Sequence, residues 1–81
     1  MKRTFNCATL NTKQALLEQF MYLFDEMYSA NYDAWVDVAT CLKEEETWEF
    51  ENIDMYENPS LLREILQDIT AQNPYVKVIE K

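Results

Sequence analysis

The sequence predicts an α/β fold: a small three-stranded parallel sheet with helices packed on it, in the order β-α-α-β-α-β. Short aromatic or β-branched runs alternate with longer stretches whose apolar residues recur at helical spacing. Strands separated by helical crossovers pair in parallel, with right-handed connections. The 81 residues, 48% hydrophobic and 14% aromatic, are enough for one small core and so for a single domain spanning 1–81.

Residues 2–8, KRTFNCA, alternate so that Phe5 and Cys7 share a face, which reads as a strand. Thr12 or Asn11 can cap the next element, with Gln14 offering a capping-box partner to Asn11. From residue 13 to about 24, Leu16, Leu17, Phe20, Leu23 and Phe24 form an apolar helix stripe. After a polar, aromatic loop at 25–30, Asn31 caps a second helix reaching to about residue 42. Its core side collects Ala34, Trp35, Val38, Cys41 and Leu42, which makes Cys41 a buried thiol. Its other side collects Asp33, Val36, Asp37 and Thr40.

Residues 43–46, KEEE, read as a solvated turn. TWEFENI then alternates Trp48 and Phe50 against Glu49 and Glu51, a strand with one buried face. Asn58-Pro59 is a cap followed by proline at the first helical position, and Asn73-Pro74 ends that helix. Leu61, Leu62, Ile65, Leu66 and Ile69 are its stripe, and residues 75–80, YVKVIE, read as the last strand. Glycine is absent, so a residue at positive φ must be Asn, Asp or Ser; the candidates are Asn6, Asn11, Asp25, Asn52, Asn58 and Asn73.

Fifteen acids against seven bases give a formal charge of −8. Such a surface repels phosphate and so argues against nucleic acid as a partner, while it attracts basic proteins. No apolar run approaches the roughly 20 residues that cross a membrane. The first ten residues lack the apolar segment of an export signal, which places the protein in the cytoplasm with Cys7 and Cys41 reduced.

Little here can do chemistry. There is no histidine, no glycine-rich phosphate loop and no nucleophile elbow, so the chain does not read as an enzyme. Asp33 and Asp37 could share a divalent ion, but nothing resembles a calcium loop, and no metal or cofactor is expected.

Those two aspartates nevertheless need a reason. Four residues apart on one helix face, with no base within a turn, they repel at a cost of about 0.2–0.5 kcal/mol. The helix dipole favours Asp33 in the first turn but does nothing for Asp37. Val36 lies between them on the polar face, and Tyr28 stands in the entering loop. A small apolar contact flanked by carboxylates has the make-up of a docking surface. Asp68 is a third suspicious acid, late in its helix, with Glu64 as a neighbour and no base.

Over nearly its whole length the chain resembles the barstar family of intracellular ribonuclease inhibitors. The order of elements agrees, and Tyr28, Asn31, Asp33, Ala34 and Asp37 follow the family's Y-G-x-N-x-D-A-x-x-D pattern. The resemblance implies that Asp33 and Asp37 are the carboxylates that plug a nuclease's phosphate-binding site, with Asp37 the dominant one. It implies that Asp68 adds a salt bridge and that Tyr28 belongs to the approach loop. The chain departs from the family in carrying Met27 for one tyrosine of a pair, Ser29 for glycine, and Val36 and Leu42 for tryptophans. It is also about ten residues shorter than the family's usual domain.

The functional expectation is a cytoplasmic protein that binds the basic active site of a ribonuclease toxin in a 1:1 complex, as an immunity protein or antitoxin. Its contact residues would be Tyr28, Asn31, Asp33, Val36, Asp37, Thr40 and Asp68. The alternative is an acidic adaptor for a basic partner that is not a nuclease.

Overall fold

The computed structural model describes residues 1–24 and 30–81. The elements are β1 (Lys2–Asn6), α1 (Lys13–Phe24), α2 (Tyr32–Thr40), β2 (Glu46–Glu51), α3 (Pro59–Gln72) and β3 (Val76–Glu80), with a 3₁₀ turn at Ile53–Met55. The sheet runs β1-β2-β3, all parallel, so the layout is the one the sequence predicts.

Register explains which side the helices cover. Phe5 lies opposite Phe50, Arg3 opposite Trp48, and Trp48 opposite Val78. Since side chains alternate along a strand, Phe5, Cys7, Trp48, Phe50 and Val76 share the buried face. Phe20 of α1 stacks on Phe5 at 4.4 Å between ring centroids and meets Trp48 at 4.9 Å and Trp35 of α2 at 4.8 Å. Each such aromatic pair adds about 0.5–1.5 kcal/mol beyond the area it buries. From α3, Leu62, Ile65, Leu66 and Ile69 complete the same core.

The opposite face carries Lys2, Thr4, Thr47, Glu49, Lys77 and Ile79. Glu49, read as a solvated position, is only 6% exposed. Lys2 Nζ at 3.2 Å and Lys81 Nζ at 3.3 Å fold over its carboxylate from the two flanking strands. Being central in the sheet gives Glu49 two neighbours long enough to cover it.

Several boundaries differ from the expectation. Of the two caps expected for α1, Thr12 is the one used, its Oγ1 accepting from Ala15 N; the capping box with Asn11 is not formed, since Gln14 donates to Glu18. The second helix stops at Thr40, and Cys41 at its C-cap is exposed, not buried. The chain leaves the helix there to enter β2, so Cys41 no longer follows the core stripe. Glu46 was read into the turn, but it opens β2 and is buried, held by Arg3 Nε at 2.6 Å and Trp48 Nε1 at 3.2 Å. β2 ends at Glu51 because Asn52 takes φ 55°, and among the described residues it alone of the φ candidates does so.

Among the described residues, no helix is long and apolar enough to cross a membrane.

Candidate functional site

The site is built by two helices held together at both ends. At one end Asn73, 2% exposed at the C-cap of α3, donates from Nδ2 to Ala39 O at 2.8 Å and Leu42 O at 2.9 Å. It thereby ties Leu42 O, just past α2, and adds a shorter bond at Ala39 O, which Leu42 N also reaches at 3.4 Å. At the other end the Tyr32 hydroxyl bonds at 2.7 Å to that of Tyr56, in the segment that leads into α3. Burial and then the Tyr32 hydrogen bond push the Tyr56 phenol far above its ordinary range, so it stays protonated. Asn31 starts α2 in the intended direction, its Oδ1 accepting from Asp33 N at 2.7 Å and Ala34 N at 3.3 Å. Asn58 does the same for α3, accepting from Leu61 N at 3.2 Å.

Between these ties lies a groove of ≈ 490 Å³ lined by Tyr32, Asp33, Val36 and Asp37 of α2 and by Leu61, Glu64, Ile65 and Asp68 of α3. Helical spacing puts residues four apart in one row. Asp33 and Asp37 therefore rim the groove from one helix, and Glu64 and Asp68 from the other, all four exposed. Ile65 is buried and Val36 and Leu61 are half-buried, making an apolar floor.

Among the described residues, no base lines this groove, and none of the four carboxylates is in an ion pair. Arg63, the one base on α3, turns away to Glu80 at 2.7 Å and Asp54 at 2.9 Å. Lys13 Nζ stands 5.5 Å from the centroid of the Tyr32 ring, beside one wall without joining the lining. Among the described residues, no three Asp, Glu, Cys or His side chains converge as a metal site.

Four of the seven residues singled out from the sequence, Asp33, Val36, Asp37 and Asp68, thus line one groove. Asn31 and Thr40 do not. Asn31 is occupied as a cap, and the Thr40 hydroxyl bonds back to Val36 O at 2.8 Å and Asp37 O at 3.2 Å. Tyr28 lies outside the described residues. Sequence reasoning missed Glu64 as a site residue, although the Glu64/Asp68 spacing repeats that of Asp33/Asp37. It also missed Tyr32, Leu61 and Ile65, whose place in the groove depends on how α2 meets α3.

Fold and groove together define a small parallel α/β protein with an unrelieved acidic groove between two helices. No protein-family model matches the chain, and no curated protein matches its sequence. The likeness to the barstar family rests on the residues quoted for it above.

Proposed function

We propose that this protein inhibits a basic ribonuclease by docking the α2–α3 groove over its active site in a 1:1 complex. The observation that carries this reading is the pair of acidic rows, Asp33/Asp37 and Glu64/Asp68, facing each other across a groove whose lining, among the described residues, contains no base. A nuclease must hold a polyanion and so presents cations at its centre. Carboxylates spaced along two helices are complementary to such a site. The repulsion they carry in the free protein is relieved when Arg and Lys side chains meet them. In the reading taken from the barstar-like pattern, Asp37 takes the place of a substrate phosphate while Asp33 and Asp68 pair with flanking bases. Val36, Leu61 and Ile65 exclude water beneath. The protein does no chemistry itself, and the inhibition protects the cytoplasm that contains it.

The test is titration calorimetry against a small basic ribonuclease, taken first from the coding sequences that neighbour this gene, at low and high salt, with an RNA-cleavage assay alongside. The reading expects tight 1:1 binding that weakens with salt and abolishes cleavage, because charge complementarity governs encounter. Binding that leaves cleavage untouched would replace the inhibitor with an acidic adaptor. No binding would remove the nuclease as partner.

A further inference from the structure

On the side of α3 facing β3 lies a second cleft, of ≈ 590 Å³, lined by Arg63, Leu66, Gln67 and Thr70 of the helix and by strand residues 76–80. It opens beside a strand edge. β3 is the last strand of the sheet, and Glu46 N bonds to Tyr75 O at 2.9 Å while Lys81 N bonds to Phe50 O at 2.9 Å. Odd-numbered residues of β3 therefore turn their peptide groups to β2. By the alternation of a parallel ladder, Val78 and Glu80 turn both N–H and C=O to the free edge. Val76 offers its C=O there, its own N–H being bonded to Asn73 O at 3.3 Å.

The side chains sort the same way. By strand alternation Val76 and Val78 share the α3 side with Leu66, while Lys77 and Ile79, which also border the cleft, lie on the outer face. Tyr75 is 46% and Ile79 43% exposed. Lys77 has no ion pair among the described residues.

A second copy is a poor occupant. Antiparallel self-pairing about residue 77 sets Lys77 against itself, and pairing about 79 sets it against Lys81; pairing about 78 leaves it opposite Ile79. Like charges directly opposite are destabilising, and none of these self-pairings sets a carboxylate against Lys77. A carboxylate opposite Lys77 is favourable.

We propose that β3 accepts an extended segment of a partner protein as a fourth strand, its alternate apolar side chains entering the cleft over Leu66, Val76 and Val78 and an acidic side chain lying beside Lys77. Backbone bonds to Val78 and Glu80 supply the attachment, and the two side-chain rows supply the choice of sequence. The surface lies on the opposite side of α3 from the acidic groove, so it does not depend on the ribonuclease reading.

The experiment is an amide-resolved NMR titration of the intact protein with a capped peptide of alternating valine and glutamate, roughly seven residues long. A matched peptide with lysine for glutamate runs in parallel. The valine–glutamate peptide should shift the Val78 and Glu80 amides and slow their exchange, and the lysine peptide should not. Lys77→Glu should weaken binding about fivefold, as an attractive cross-strand pair becomes a repulsive one. Val78→Pro removes an N–H that faces the free edge, so it should abolish binding while the sheet is kept; if that variant fails to fold, the Lys77→Glu comparison still decides. Unmoved Val78 and Glu80 amides overturn the proposal, as does equal binding of both peptides. So does a concentration-dependent dimer of the free protein centred on β3, which would make a second copy the occupant.

Discussion

Asp37 shows most plainly how a single residue can be unfavourable where it stands. It lies in the last turn of α2, where the helix dipole disfavours a negative charge, one turn beyond Asp33 and with no basic residue in that turn. Replacing it should therefore not harm the fold. Asp37→Ala is expected to leave urea stability unchanged or raised by up to about 0.5 kcal/mol. If the groove docks on a nuclease, the same change should cost more than about 2 kcal/mol of binding, the scale of an interface hot spot. Unfolding curves and calorimetry on one preparation check both halves. A variant that is less stable and binds as tightly as the parent would show Asp37 to be structural. The acidic pair and Val36 between them were legible from the sequence because helical spacing alone puts them on one face. The role of Asn31 was only half legible: the sequence suits it both to capping and to contact, and its hydrogen bonds to Asp33 N and Ala34 N show it engaged in the first.

At the scale of elements, the groove exists because α2 and α3 are held at a set spacing, and Asn73 contributes most visibly to that. Its side chain serves two carbonyls of the α2 C-terminus and accepts from Tyr75 N at 2.9 Å, joining the exit of α3 to the entry of β3. Asn73→Ala strips these bonds from Leu42 O and Tyr75 N, leaves Ala39 O with only the 3.4 Å bond from Leu42 N, and should destabilise by about 1–3 kcal/mol. Amide exchange should quicken at the end of α2 before the rest of the domain opens. Uniform loss of protection across all elements would mean that Asn73 supports the fold globally and does not specifically dock the two helices. Helix starts at Asn31 and Asn58-Pro59 were readable because capping is local chemistry. The end of α2 was not, since a partner 31 or more residues away in sequence closes it. For the same reason Cys41 was misjudged: the apolar stripe continued past the point where the backbone stopped being helical.

For the molecule as a whole, charge is unevenly placed. Among the described residues, acids rim the α2–α3 groove without ion pairs, while on the outer sheet face Lys2 and Lys81 pair with Glu49. Burial pushes the Glu49 carboxyl up, but the hydrogen bonds and charges of Lys2 and Lys81 outweigh it and hold the net value below the ordinary 4.5. A carboxylate with a lowered folded-state pKa stabilises the fold fully above its unfolded value. That contribution is lost as pH falls from about 4.5 through the lowered value. Glu49→Gln should thus be less stable than the parent at neutral pH, and the gap should close on acidification. Urea midpoints for both proteins from neutrality down to about pH 2 measure this. A gap that stays constant would assign the loss to packing and not to the ion pairs.

What the sequence by itself determined was whatever depends on near neighbours: the period of the apolar residues, the helix caps, the order of elements and hence the parallel sheet, and the two aspartates on one helix face. The opposing acidic row at Glu64/Asp68, the apolar floor between the rows, the covering of Glu49 and the exposure of Cys41 were decided only by the tertiary structure. These depend on which distant segments are brought side by side, and that is set by the shared core and by bonds such as those of Asn73, which no local pattern encodes.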